Sequence, residues 1–354
     1  MDGIWWILEI INYLCGGVLY KLSIIIPVYN AEDCLDRTIA SIINQSIGFK
    51  NIELILVDDF SSDNSKNIIC KYSNAHDNII SIFLDENHGF PGYGRNVGMD
   101  NASSEYIMFV DNDDELDLEM CERLYNSIIK YNADISCCDI KEIDNVSEEI
   151  HKMGLDFTEN FIIAFDEEIL KFNSGFVWNK LFKKEIVDNF KIRFLTDNYC
   201  DDQAFSIEFM LNSHKLIYVN NYVGYIWNRR NESLSNSKDL DNLEPLFIGY
   251  EYMLNLFLEK DKDYLIPVIS NPGTLYLLSQ SILLTSKMDK IYFLERIYDF
   301  EKKCKFNVKI NDLFFSFCNY LVLKRKFKSA VFMLDLGGKI SSFSAIKKIY
   351  RKIK

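Results

Sequence analysis

The sequence predicts an α/β fold, a mostly parallel sheet flanked by helices, followed by a helical C-terminal region. Three observations predict it. Short β-rich runs alternate with segments of helical period from Leu22 to about residue 235. Polar clusters stand at the ends of those β-rich runs, where open parallel sheets place their ligands. Beyond that point the alternation stops, and patterns rich in Leu, Phe, Ile and Tyr take over, punctuated by Pro267 and Pro272.

Taken in order, Leu22 to Val28 is the first strand, ended by Pro27-Val28-Tyr29-Asn30. Leu35, Ile39, Ile42 and Ile43 then mark one face of a helix, with Asn30 as its expected cap. Ile52 to Val57 is a second strand, followed by Asp58-Asp59-Phe60-Ser61-Ser62-Asp63, a turn whose Ser and Asp side chains suit helix capping. The helix after it carries Ile68, Ile69 and Tyr72, and Ile79 to Leu84 is a third strand. A glycine-rich loop, His88 to Gly94, leads into a short helix expected to begin near Arg95. Tyr106 to Val110 is a fourth strand that runs into Asp111-Asn112-Asp113-Asp114. Leu116, Met120, Leu124 and Ile128 repeat every four residues, as one helical face does. Strands separated by helices argue for a sheet covered on both faces.

Composition narrows the function classes. Of the 354 residues 48% are hydrophobic, enough for a real core and against a disordered chain. The formal charge of -13 argues against nucleic acid as a partner. That charge is unevenly placed: residues 321–354 hold ten Lys/Arg and one acid, Asp335. Such a tail suits an anionic membrane surface, and equally a solvated helical face. Nine cysteines without a C-x-x-C pair point to no disulfide framework and to a reducing cytoplasm. Adjacent Cys137 and Cys138 belong to a strand-like run and are expected on opposite faces. Residues 1–20 are apolar, but Glu9 and Asn12 interrupt them. The segment is short for a membrane span and lacks the basic start of a secretion signal, leaving an interfacial or a packed helix.

Three clusters are candidates for chemistry. Carboxylates crowded at Asp111, Asp113 and Asp114 repel one another, which a hard divalent cation relieves; the bland alternative is an acidic turn that caps the next helix. Asp58-Asp59 offers a carboxylate to a ribose hydroxyl or a base N–H, or again a helix cap. In His88 to Asn96 the glycines let backbone approach a ligand and Arg95 suits a phosphate, although a plain flexible loop explains the glycines as well.

The order Ser23-Ile24-Ile25-Ile26-Pro27-Val28-Tyr29-Asn30, Val57-Asp58-Asp59, Gly89 to Gly98, and Val110-Asp111-Asn112-Asp113-Asp114 resembles family 2 glycosyltransferases, whose GT-A fold is one Rossmann-like domain. Trp178-Asn179-Lys180-Leu181-Phe182 resembles the family's W/C-x-K-L-aromatic element, and Asp201-Asp202-Gln203-Ala204-Phe205 its E-D-x-x-F element with Asp201 in place of Glu. Tyr225 to Arg230 and Ser233 resemble its closing strand and loop. The resemblance covers residues 21–235, leaving 1–20 as an apolar N-terminal segment and 236–354 as a helical C-terminal region with a basic tail.

That resemblance implies a transferase moving a sugar, with inversion, from a nucleotide-diphosphate donor to an acceptor hydroxyl. UDP is the family's commonest nucleotide, and cell-surface polysaccharide or glycoconjugate synthesis is the expected setting. Pro27, Val28, Tyr29 and Asn30 would border the base, Asp59 would hydrogen-bond to it, and Arg95 would lie near the base or diphosphate. Asn112, Lys180 and Asp201 are expected in the same nucleotide-sugar site. Asp111 and Asp113 would be the D-x-D pair holding Mn²⁺ or Mg²⁺, with Asp113 the more direct ligand, and Asp202 the catalytic base. Expected partners are the donor and a glycan or lipid-linked acceptor. The expected location is the cytoplasm or its membrane face, and the C-terminal helices leave room for oligomerisation.

Other readings fit less well. A dinucleotide-dependent oxidoreductase would carry G-x-G-x-x-G after the first strand, whereas Gly92, Gly94 and Gly98 are spaced G-x-G-x-x-x-G and follow the third. A nucleotide-sugar pyrophosphorylase would place a glycine-rich basic loop where Pro27-Val28-Tyr29-Asn30 stands. A catalytically inactive, transferase-like scaffold is the non-enzymatic alternative, and Asp59, Asp113 and Asp202 being all present argues against it.

Overall fold

A computed structural model describes residues 20–144, 147–152, 161–164, 175–197, 200–229, 240–306 and 308–340. The apolar segment before residue 20, Arg230, Ser233 and the tail from 341 lie outside the described residues. Two compact units result, one of residues 20–197 and 201–229, the other of residue 200 and residues 240–340.

The first unit opens with β1 (Leu22–Val28), α1 (Leu35–Ile43), β2 (Ile52–Asp58), α2 (Ser65–Ala75), β3 (Ile79–Phe83), α3 (Pro91–Asn101) and β4 (Tyr106–Phe109). Next come β5 (Glu115–Leu116), α4 (Met120–Tyr131), β6 (Ile135–Ile143), β7 (Glu148–His151) and β8 (Phe161–Ala164). The unit ends with β9 (Lys180–Lys183), α5 (Lys184–Phe190), α6 (Asp201–Leu211) and β10 (Lys215–Asn228). Among the described residues ten strands form one sheet in the order β3-β2-β1-β4-β9-β6-β10-β5, with β7 on β6 and β8 on β10. β1, β2, β3 and β4 pair in parallel, as do β6 and β10, while β5, β7, β8 and β9 pair antiparallel.

Every residue of β1 and β2 is buried, as a doubly covered parallel sheet requires, the polar Ser23 and Glu53 being hydrogen-bonded to each other. Their register, Leu22 on Ile52 through Val28 on Asp58, brings the two strand ends level. Cys137 and Cys138 on β6 are both buried, because helix and strand neighbours cover both faces there. Phe109, Phe182, Phe194 and Phe205 form a ring cluster under the sheet, Phe194 stacked on Phe205 at 4.1 Å.

Several local expectations are corrected. Asn30 does not cap α1, whose N-cap is Cys34 without a side-chain bond; Asn30 sits at φ 46° and its Oδ1 accepts from Ser62 N at 2.9 Å. Ser61 Oγ likewise accepts from Asn30 N at 3.0 Å, so this turn stitches the end of β2 to the end of β1 rather than capping α2. Only Asp63 keeps a first-turn role, accepting from Ser65 N at 2.9 Å. Leu116 belongs to a strand, and α4 begins at Met120.

The glycine-rich segment is helical from Pro91, four residues before the expected start. A Cβ on Gly92 would come 2.0 Å from the Leu195 carbonyl oxygen, and one on Gly98 2.3 Å from Ile25 Cγ2. These glycines therefore let α3 lie against β1 and residues 194–195, and their contacts are with the protein itself.

The second unit is helical: α7 (Leu240–Leu243), α8 (Pro245–Glu259), α9 (Ile266–Ser281), α10 (Lys287–Cys304), α11 (Leu313–Leu323) and α12 (Phe327–Ile340). Phe247, Tyr250, Phe257, Phe293 and Phe300 fill its centre. Ser286 and Asp312 cap α10 and α11 through side-chain bonds to Asp289 N and Phe315 N. Pro267 sits in the first turn of α9, where its missing N–H is harmless, but Pro272 lies inside that helix and does not end it. Among the described residues no helix is long and apolar enough to cross a membrane.

Candidate active site

The carboxyl ends of β1, β2 and β4 converge with the starts of α3 and α6 and the end of β10. Arg95, on the first turns of α3, is 2% exposed and is the centre of the arrangement. Its Nη2 donates to Asp111 Oδ1 at 2.7 Å, and its Nη1 donates to Asp201 Oδ2 at 2.9 Å and to Asp202 Oδ1. The guanidinium lies 5.2 Å from the Phe194 ring centroid, and its buried Nε has no hydrogen-bond partner among the described residues. Asn96 fixes the segment opposite, exchanging 2.9 Å bonds with the Phe194 backbone N–H and carbonyl. Arg95, expected near the base or diphosphate, has both its terminal nitrogens turned to carboxylates.

Three carboxylates against one guanidinium leave a formal -2 when all are ionised. Burial pushes Asp202 well above the usual carboxylate range, with Arg95 opposing and Asp201 and Asp111 adding to the rise. Burial raises Asp201 as well, to about 6, again against the pull of Arg95. Burial works against the charge of Arg95 too, but Asp202, Asp111 and Asp201 more than offset it and hold the guanidinium protonated.

The Asp111–Asp114 turn is tied down from several sides. Tyr225 Oη donates to Asp114 Oδ2 at 2.7 Å, Asn228 N donates to Asp114 Oδ1 at 2.8 Å, and Asp111 N donates to Tyr225 Oη at 3.2 Å. Asp114, read from sequence as a helix cap, is a buried anchor between this turn and β10, and α4 is led by Glu119. Burial raises its pKa well above the ordinary value, Asp113 and Asp111 adding to the effect. Thr38 Oγ1 donates to the Asn112 carbonyl at 2.9 Å, Arg37 Nη2 to the Asp113 carbonyl at 2.8 Å, and Asn112 Nδ2 to the Pro27 carbonyl at 3.3 Å. Backbone oxygens are held in this way while the Asp111 and Asp113 side chains remain partly open to solvent.

Among the described residues no three His, Cys, Asp or Glu side chains form a ready-made metal cage. Asp111 and Asp113 do fit a hard divalent cation in donor chemistry and number, since Mg²⁺ takes one or two carboxylates when substrate phosphates complete its shell.

At the end of β2, Asp59 is 7% exposed and accepts from His88 N at 3.1 Å, His88 Nδ1 at 3.0 Å and Asn87 Nδ2 at 3.1 Å. The His88 ring stacks on Tyr93 at 3.6 Å. Asp59 therefore fixes the segment before α3 as well as lining the β1–β2 edge, where Tyr29 and Phe60 stand about half exposed. Pro27 and Val28 are buried beneath them. Lys180 opens β9 fully buried, donating to Asn179 Oδ1 at 3.0 Å and to the Phe176 carbonyl, and burial lowers its pKa to about 8.

The expected site residues thus stand at adjoining strand ends: Pro27, Val28, Tyr29, Asn30 and Asp59 on one side, and Arg95, Asp111, Asp113, Asp201 and Asp202 on the other, with Asn112 bridging to Pro27 and Lys180 buried at the start of β9. Missed were Arg37, Thr38, Asn87, Phe194 and the anchoring role of Tyr225 and Asn228. Arg37 and Thr38 lie on an ordinary amphipathic helix and carry no sequence signal; Asn87, one residue before the glycine-rich stretch, was within reach.

A Rossmann-like mixed sheet with flanking helices and aspartates at its strand ends defines the GT-A class. The sequence pattern of glycosyl transferase family 2 matches residues 23–190. A Campylobacter jejuni GalNAc(5)-diNAcBac-PP-undecaprenol beta-1,3-glucosyltransferase is 30% identical over 69% of this chain and 78% of that protein. The chain belongs to glycosyl transferase family 2. A Bacillus spizizenii poly(ribitol-phosphate) beta-glucosyltransferase is 34% identical over 58% of this chain, which spans only 32% of that relative's length. The crystal structure of Staphylococcus aureus TarS 1-349 in complex with UDP superposes with a TM-score of 0.71 over 89% of this chain and 90% of that one, at 20% identity.

Proposed function

We propose that the chain transfers a sugar from a UDP-sugar to an acceptor hydroxyl, with inversion at the anomeric carbon. The observation that carries the reading is the Arg95 guanidinium, which draws Asp111 of the D-x-D turn and the Asp201–Asp202 pair onto one cation. In the proposed step the acceptor oxygen bonds to the anomeric carbon as the bond from that carbon to the diphosphate oxygen breaks. Asp202 takes the hydroxyl proton, and the nucleoside diphosphate leaves with the bonding pair. A carboxylate raised by burial is a stronger base than an exposed one, provided Arg95 keeps it ionised. Arg95 is thus a positioning residue, setting Asp202 against the D-x-D turn.

Asp113, with Asp111, would hold Mn²⁺ or Mg²⁺, which when bound supplies positive charge to the departing diphosphate. Pro27, Val28, Tyr29 and Asn30 border the base and Asp59 contacts it while ordering Asn87 and His88. Lys180 and Asn112 complete the donor side by holding its walls. Support for UDP comes from the TarS complex, and for a glycan or lipid-linked acceptor at the cell surface from the names of the relatives. A cytoplasmic location belongs to the same proposal, supported by eight cysteines without a disulfide among the described residues.

Calorimetric titration of UDP, GDP and dTDP, each with Mn²⁺ and then with EDTA, tests the reading. Manganese-dependent binding of UDP alone is expected. A folded protein that binds none of the three removes the transferase reading and leaves the scaffold.

A further inference from the structure

The α11–α12 hairpin carries an apolar face that no described residue of its own unit covers. On α11, Leu313, Phe317, Tyr320 and Lys324 follow helical spacing and point away from the side that buries Phe315, Cys318 and Val322. On α12, Lys328, Phe332 and Leu336 recur every four residues, opposite buried Ala330 and Leu334. Leu313 is 89% exposed and Phe332 67%, far beyond what a solvated amphipathic helix needs to show.

Cations cluster at the turn end of this face. Lys324, Arg325, Lys326 and Lys328 are all exposed at the turn, and among the described residues no acid pairs with them. Lys324 lies 5.8 Å from the Tyr320 ring centroid and Arg325 5.3 Å from that of Tyr298. The imbalance extends through the sequence: residues 302–354 hold fourteen Lys/Arg and two acids, Asp312 and Asp335, a formal +12, so the preceding 301 residues carry -25 of the total -13. A two-fold contact centred on the turn would set Lys324 to Lys328 against their own equivalents, which like-charge repulsion opposes. An anionic bilayer offers what the face lacks: negative headgroups for the cations and an acyl boundary for the rings.

We propose that the outer face of the α11–α12 hairpin docks on an anionic lipid surface. The test uses the full chain and two sets of vesicles, phosphatidylcholine alone and phosphatidylcholine mixed with phosphatidylglycerol, read by flotation. Binding to the anionic vesicles is expected to be at least about tenfold tighter and to weaken at about 0.5 M salt. Phe317→Ser with Phe332→Ser is expected to lower partitioning about tenfold or more, the lost insertion of two rings. Lys324→Glu with Lys326→Glu is expected to abolish the preference for anionic vesicles. Circular dichroism confirms that each variant is folded.

Equal binding to both vesicle types, or wild-type partitioning by both double variants, overturns the proposal. So does a wild-type dimer in ultracentrifugation that Phe317→Ser with Phe332→Ser dissociates. Nucleotide calorimetry on the same preparation reads the transferase site separately, so failure of one reading is distinguishable from failure of the other.

Discussion

Replacing Arg95 with Met tests the central arrangement most directly. The side chain is buried, so Met fills most of its volume and keeps the contact with Phe194. What is lost is the charge that Asp111, Asp201 and Asp202 share. Removing one partner of a buried ionic cluster costs about 3–5 kcal/mol, because uncompensated charge remains. For a unit of this size about 1 kcal/mol shifts the midpoint by about 2–4 °C, so the expected loss at pH 8 is about 6–20 °C.

The pH dependence gives the cause. Without Arg95 the Asp201 and Asp202 carboxyls rise further, and the folded state takes up protons that the unfolded chain releases. Stability from a raised carboxyl is present at low pH and lost as pH rises through the folded value. The deficit relative to wild type is therefore largest at pH 8 and shrinks toward pH 5. Thermal unfolding followed by circular dichroism at both pH values measures it. Arg95→Lys should recover part of the stability but little turnover, since one ammonium cannot reach Asp111 and the Asp201–Asp202 pair together. A variant that keeps wild-type midpoints at both pH values, or wild-type turnover, refutes the positioning role.

Three further outcomes follow from the same geometry. Asp202→Asn should lower turnover by about 10²–10⁴-fold while leaving the calorimetric affinity for UDP within about twofold, as loss of a general base does. Tyr225→Phe should cost about 1–3 kcal/mol in thermal unfolding, because buried Asp114 loses its 2.7 Å donor, and should weaken Mn²⁺-dependent nucleotide binding as the Asp111–Asp114 turn loosens. Gly98→Ala should destabilise by about 1–3 kcal/mol through the clash with Ile25, and Gly92→Ala by more, since its obstacle is the Leu195 backbone; chemical denaturation ranks the two.

Much of the fold was legible because its causes are local. The short, mostly apolar, β-rich runs of β1 and β2 suit strands covered on both faces, and the helical spacing of Leu35, Ile39 and Ile42 marks a helix wherever it packs. The aspartates at strand ends were legible for the same reason, since strand direction dictates on which edge of a parallel sheet they emerge. Their order along the chain sufficed to point to the family.

The pairings between distant segments were not legible. Gly92 reads as part of a loop, ligand-binding or merely flexible, because glycine's two uses, freedom of backbone and lack of a side chain, look alike in sequence. Only the approach of Leu195 selects the second. Arg95 read as a phosphate ligand because an arginine after glycines suits an anion, and nothing local says that Asp201, 106 residues on, supplies one. Asp114 read as a cap because its anchor, Tyr225, lies 111 residues away on β10. The sequence by itself determined the strands, helices and acidic turns, which depend on neighbours a few residues apart. The tertiary structure alone decided which charges meet, because Coulombic and hydrogen-bond partners are chosen by distance in space.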